Sequence, residues 1–244
     1  GIAGYAGSFL RLGTTAYSMG MGGGFTAALD HGFPGYHNPA AVAFLEKRNA
    51  TVLHHFLPLD RYLVSASFSA KLPPTAGLSI GIVNAGVDKI DGRDASARST
   101  DTFSTEEYAV YVSFANRLMP NLSLGVNVKM FYQLLTMEGG ISAKGTGVDA
   151  GLIYRQSKNF QFGFVIQDWN ASYAWNTSDI FDEKGSTYED RFPMQIRAGF
   201  VYRPGLFDLI GDYTYFRVSD HVSANRVRIG GEYVPMERVS VRAG

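Results

Sequence analysis

The 244-residue sequence has no cysteine, which excludes a disulfide framework and any thiolate-held metal. It has no surplus of either charge: 22 Lys and Arg face 22 Asp and Glu. That balance argues against a nucleic-acid-binding surface, which needs a basic excess. Charged residues make up only 18% of the chain, below the roughly 25% of average soluble domains. No run approaches the roughly 18 consecutive apolar residues of a membrane-crossing helix; no signal peptide is visible, and since the sequence starts at Gly1 without Met, a processed or trimmed N-terminus is expected. Catalytic signatures are missing too. Neither H-E-x-x-H nor G-x-S-x-G occurs, and Gly20-Met21-Gly22-Gly23-Gly24 lacks the lysine and spacing of a phosphate-binding loop. His54 and His55 are adjacent, so on a strand they face opposite sides and cannot share a metal. His31 and His37 flank Pro34 in a loop, and the acidic group Asp179, Asp182 and Glu183 lacks regular ligand spacing. No catalytic, cofactor or metal site is expected, and the chain reads as a non-enzyme.

What is present is glycine, 28 residues, with 17 Phe and 14 Tyr, and a period of two from about residue 50 onward. In Leu124-Val126-Val128-Met130-Tyr132 the apolar side chains share one face, against Gly125, Asn127, Lys129 and Gln133. Val148-Ala150-Leu152-Tyr154 does the same against Asp149 and Gly151, and Ile196-Ala198-Phe200-Tyr202 against Arg197 and Gly199. Side chains alternate across a strand, so each segment has one apolar and one polar or tiny face. About eleven such segments can be counted, near 50–57, 61–72, 76–88, 105–118, 121–135, 145–156, 159–168, 192–204, 206–217, 224–234 and 237–244. Most reach the roughly 9–11 residues that cross a bilayer as a tilted strand.

The connections alternate in length. Tight turns at 72–75, 119–121, 157–159, 204–205 and 235–236 separate longer polar stretches at 89–104, 136–144, 169–191 and 219–223. Short turns at one end and long loops at the other is the layout of an outer-membrane barrel; the short link at 57–60 departs from it. Closing a hairpin at Pro204-Gly205 puts Arg203 opposite Asp208 and Gly199 opposite Asp212, with Arg197 close enough to pair with Asp212. The charges Lys129, Asp149, Arg197, Asp212 and Arg228 are therefore expected inside the barrel. Tyr108, Tyr132, Tyr154, Tyr202, Tyr213 and Tyr233 are expected to face lipid. The stretch 169–191 carries Trp169, Tyr173, Trp175 and Phe181 and reads as a partner-binding loop or a cap over the barrel mouth.

Residues 1–49 break the pattern and read as a separate plug, with 50–244 as barrel strands. Asn38 can cap a helix that begins at Pro39. Phe9-Leu10-Arg11-Leu12-Gly13, then Met19-Gly20-Met21-Gly22-Gly23, then Asn38-Pro39-Ala40, followed by long alternating strands, resembles the PorV/PorQ family within the FadL-like barrel superfamily. The resemblance implies an all-β, antiparallel transmembrane barrel of fourteen strands in a bacterial outer membrane. Its N-terminal hatch, with short helices, would use Gly20, Met21, Gly22, Gly23, Asn38, Pro39 and Ala40 as the plug motif. Eleven segments fall short of fourteen, and the last stops in mid-strand, so a C-terminally incomplete barrel is expected.

Two functional classes follow. PorV-like relatives serve type IX protein secretion, which implies a plugged scaffold or shuttle that docks secretion or surface proteins through its outer loops. FadL-like relatives pass hydrophobic small molecules, which implies an apolar pocket between hatch and wall, with Phe9, Leu12, Phe25, Phe33 and Phe44 as candidates. Fold alone does not decide between them. The expected surroundings are outer-membrane lipid, with no nucleic acid and no cofactor.

Overall fold

A computed structural model describes residues 4–29, 32–136, 140–176, 185–219, 221–236 and 239–244. Twelve strands form one antiparallel sheet: β1 (Asn49–Leu57), β2 (Arg61–Leu72), β3 (Ala76–Arg93), β4 (Ser99–Met119), β5 (Leu122–Thr136), β6 (Ile141–Arg155), β7 (Phe160–Asn176), β8 (Thr187–Arg191), β9 (Met194–Tyr202), β10 (Phe207–Arg217), β11 (Ser223–Met236) and β12 (Val239–Ala243). Each strand pairs with its sequence neighbour, except that β7 pairs with both β8 and β9. These two lie end to end along β7, parted by Phe192-Pro193, so eleven strands follow one another around the sheet.

Alternation sorts the two faces. On β5, Leu124, Val126, Val128 and Met130 are exposed, while Ser123, Gly125, Asn127, Lys129 and Phe131 are buried. The same parity holds on β6, β9 and β10, and Tyr132, Tyr154, Tyr202, Tyr213 and Tyr233 all lie on the outward face. An apolar exterior around a polar interior is what a bilayer imposes on a closed set of strands. A charge on the outer face should then be costly. Val128→Arg, in the middle of β5, is expected to lower stability in vesicles by about 2–4 kcal/mol, measured by urea unfolding. An equal loss for a like substitution at the exposed turn residue Leu59 would contradict the lipid assignment.

The hairpin register at 203–206 is the one the sequence implies: Asp212 pairs with Gly199 and Tyr213 with Ala198, and Arg203 meets Asp208 at 3.0 Å. The long polar stretches differ from expectation. β3 continues to Arg93 and β4 starts at Ser99, so most of 89–104 is strand around a short turn. Likewise β7 runs to Asn176 and β8 fills Thr187–Arg191. Strands that project past the bilayer lose the lipid-facing apolar residues that reveal them in sequence. The short β1–β2 link is a tight turn with Leu59 and Asp60 both at positive φ.

Among the described residues before β1 lie four short helical segments: Ser8–Arg11, Ala16–Gly20, Pro34–His37 and Pro39–Phe44. Residues 33–44 are buried almost throughout. No described helix is long and apolar enough to cross a membrane.

Candidate functional site

The segment 8–44 sits against the inward face of the strands, and the wall is glycine where its backbone arrives. A Cβ on Gly125 would lie 2.5 Å from Ala40 N, one on Gly163 2.2 Å from Thr26 O, and one on Gly230 2.1 Å from Met21 O. Only a residue without a side chain allows this approach. Gly22 and Gly23 have φ of 68° and 75° and make the turn after Ala16–Gly20, folding the segment toward β11. Met21 is fully buried with Phe25, Val201 and Ile210.

Asn38 fixes the middle of this segment. Its Oδ1 accepts from Ala40 N at 3.0 Å and caps the turn Pro39–Phe44. Its Nδ2 donates to Thr26 O at 2.8 Å and faces Leu152 O and Phe164 O, on β6 and β7, at 3.2 and 3.3 Å. One amide thus joins two parts of the segment to two strands. Asn38→Ala is expected to cost about 1–3 kcal/mol by stranding buried partners. It should raise hydrogen exchange across 26–44 before the strands respond. Uniform exchange in variant and parent would rule out this anchoring role.

The inward charges form two groups, one around Lys129 and one around Arg197, and both reach the plug. Lys129 Nζ lies 2.6 Å from Asp149 Oδ1 and also binds Asp168. Asp149 accepts from Asp168 N at 2.9 Å and from Asn127 Nδ2 at 3.1 Å. Gln195 Nε2 reaches Asp168 at 2.8 Å. Arg197 pairs with Asp212 at 2.7 Å and donates to Gln167 Oε1 at 3.1 Å. Both groups hold the plug by its backbone. Thr26 N and Oγ1 both donate to Asp212 Oδ2, Asn127 Nδ2 donates to Gly35 O, and Gln167 Nε2 donates to Tyr36 O. Arg228 is half-buried on β11, beside Gly23 and Gly24. Burial, reinforced by the Arg197 and Arg228 charges, pushes His37 down to about 3, so it is neutral at ordinary pH.

Asp168, Gln167, Gln195 and Asn127 are not singled out by the sequence. Strict alternation would turn Asp168 outward, because Gln167 points in. A bulge against β6 breaks the period, with Asp168 and Asn170 at positive φ, and brings both 167 and 168 inside. Bulges re-aim side chains in this way.

The expected partner-binding loop requires correction. Trp169, Tyr173 and Trp175 are on strand β7, not on a loop, and Phe181 lies outside the described residues. Tyr173 is only 1% exposed, packed on Phe131 and Phe192, so it cannot meet a partner. The two register shifts against β6 cancel, so Tyr173 keeps the inward parity of Val165 and Gln167 and is part of the core. Trp169 remains exposed. The apolar residues expected in one pocket also separate. Phe9 and Phe33 share one cluster, Phe25 a second and Phe44 a third.

Two cavities border the plug. One, of about 260 Å³, lies among Arg11, Met19, Tyr36, Lys129, Arg197 and Arg228. The other, of about 630 Å³, lies between Ser8–Arg11 and the β1–β4 wall and includes Phe9, Leu12, Leu57, Ala85, Val87 and Glu107.

No protein-family model and no curated protein matches the sequence. Solved structures do match. A Pseudomonas aeruginosa FadL homologue superposes with a TM-score of 0.65 at 12% identity, over 94% of this chain and 78% of that one. The Pseudomonas putida toluene transporter TodX gives 0.60 at 12% identity, over 92% and 81%. The monoaromatic hydrocarbon channel CymD gives 0.56 at 13% identity, over 91% and 80%. Two of these are named as a transporter and a channel. The chain therefore has the fold of FadL-like transmembrane β-barrels, with antiparallel strands around an N-terminal plug.

Proposed function

We propose that this chain is a bacterial outer-membrane conduit for small hydrophobic compounds, with residues 8–44 as its hatch. The observation that carries the reading is the cavity of about 630 Å³ between hatch and wall, where Phe9, Leu12, Leu57, Ala85 and Val87 offer apolar surface. Ligand pockets are commonly concave, largely apolar and of this size. The likeness to a toluene transporter and a monoaromatic hydrocarbon channel supports small aromatic hydrocarbons as the first class to test. Cells bearing the chain in their outer membrane should take up labelled toluene faster than cells bearing Ala85→Trp, which fills the cavity. Binding to the purified barrel should weaken at least tenfold in that variant. Uptake and binding unaffected by the filled cavity would end the proposal.

A second reading, a plugged scaffold of the PorV/PorQ type in protein secretion, is favoured by how closely the network ties the hatch to the wall. Its docking surface would be the β7–β8 rim, where Tyr188 is exposed. A Tyr188→Ala variant should then lose co-purifying surface proteins. Unchanged partners would remove this reading.

A further inference from the structure

We infer that the short-turn end of the barrel, where the plug passes into β1, is a docking surface for an acidic polypeptide that approaches along the barrel axis. Charge is the first argument. Lys71, Arg117, Arg155 and Arg203 stand at the ends of β2, β4, β6 and β9. Lys47 and Arg48 lie just before β1 at the same end, and Lys158 is in the β6–β7 turn. Among the described residues the carboxylates there are Glu46 and Asp208. One layer deeper, Glu232 and Arg242 pair with each other at 2.7 Å and leave the excess unchanged. Arg203 meets Asp208 at 3.0 Å, but Lys47, Arg48, Lys71, Arg155 and Lys158 make no ion pair among the described residues. The opposite end is mixed, as Asp88, Lys89, Asp91 and Arg93 are along β3. A rim of one sign steers and selects a partner of the other sign.

Direction is the second argument. The four strand-end cations keep the parity of Ser69, Ala115, Ile153 and Val201, which are buried on the inward face. Their outward neighbours are Leu72, Leu118, Tyr154 and Tyr202, all exposed on the lipid side. Cations that gripped lipid headgroups would alternate onto that outer face. These keep to the mouth instead, and Arg155 and Arg117 stand over the Phe44 ring of the plug at 5.3 and 6.0 Å. Shape is the third argument. A cavity of about 440 Å³ at this end is lined by Leu29, Phe44 and Leu45 together with Lys47, Arg48 and Arg155. It can take an apolar side chain while the cations pair with carboxylates beside it. Short turns face the periplasm in an outer-membrane barrel, so the partner is a periplasmic one. The surface lies at the other end of the strands from the larger apolar cavity, and it does not depend on what that cavity binds.

The test is fluorescence anisotropy of a labelled peptide of glutamates interrupted by leucines, titrated at low salt with the full chain purified in a zwitterionic detergent. Saturable binding is expected. It should weaken steeply as salt rises and be lost when the glutamates are replaced by glutamines. The exposed double reversal Lys47→Glu, Arg48→Glu should weaken it at least tenfold, whereas Lys89→Glu, Lys144→Glu at the opposite end should leave it unchanged. No saturable binding by the parent chain would overturn the inference, whether or not the variants fold. Equal binding of the glutamine peptide, or equal weakening by the two double reversals, would equally overturn it. A thermal stability in nanodiscs that rises with phosphatidylglycerol in the parent, but not in Lys47→Glu, Arg48→Glu, would assign these cations to lipid headgroups and overturn it as well.

Discussion

Gly163→Val is expected to expel the plug while leaving the strand pairing in place. The inward Cβ would stand 2.2 Å from Thr26 O, 2.6 Å from Thr26 C and 2.7 Å from Ala27 Cα. All three are backbone atoms, so no rotamer change relieves the clash. Across the strands Gly163 faces Gly199 on β9 and Ile153 on β6, but the three atoms nearest the added Cβ all belong to the plug, which makes the plug the obstacle. Overpacking costs about 1–3 kcal/mol where side chains can adjust, and a backbone obstacle places this site at the upper end or beyond. The interactions most exposed to the change are those around Thr26: its bonds to Asp212 and its carbonyl's bond to Asn38. In planar bilayers the variant should conduct ions well above the parent, and protease should cut between residues 16 and 45. Phe164→Val, on the outward face, is the control. Parental conductance together with parental protease resistance in Gly163→Val would show that the wall glycines are not there to seat the plug.

Lys129→Met is expected to be the most destabilising single change in the barrel wall. It leaves Asp149 and Asp168 facing one another without the shared cation that binds both. Breaking a buried ion pair by removing one partner costs about 3–5 kcal/mol, whereas replacing the whole set with neutral groups costs far less. Adding Asp149→Asn and Asp168→Asn to Lys129→Met should therefore recover most of the loss, and that non-additivity is the diagnostic result. Urea unfolding in lipid vesicles measures it. If the triple variant is less stable than Lys129→Met alone, the charges are not a closed set and the network has been misassigned.

The barrel was legible in sequence because a bilayer leaves its mark at every second residue. Leu124 through Tyr132 and Ile196 through Tyr202 show it plainly, and the Pro204-Gly205 hairpin fixed even the partners of Asp212. The ends of the strands were not legible. Past the lipid, Asp91, Thr102 and Glu189 can point either way without penalty, so β3, β4 and β8 read as loop. The site was half legible. Lys129, Asp149, Arg197 and Asp212 stand out as charges on otherwise small, polar faces. Asp168 does not, since one inserted residue changes its side of the wall and no spacing rule locates the insertion. Tyr173 went astray for a different reason: an aromatic among Asn and Ser resembles a surface anchor on a loop, whereas the strand continues and keeps it on the inward side with Val165 and Gln167. The resemblance at Asn38-Pro39-Ala40 points to a plug but does not say what holds it. The answer lies in glycines, such as Gly125 and Gly163, whose meaning depends on what stands in front of them.

The plug also touches both margins of the strand array. Gly32 O accepts from Asn49 and Thr51 on β1, while Tyr17 donates to Glu232 on β11 across 215 residues of sequence, with Arg242 of β12 over its ring. The plug thus has to wait for strands made more than two hundred residues later. Contacts this distant in sequence form only after the intervening chain has been ordered, because closing so long a loop is entropically costly. Seating is expected to be the final event of assembly, and the seated segment then acts as a spacer that sets the girth of the cylinder.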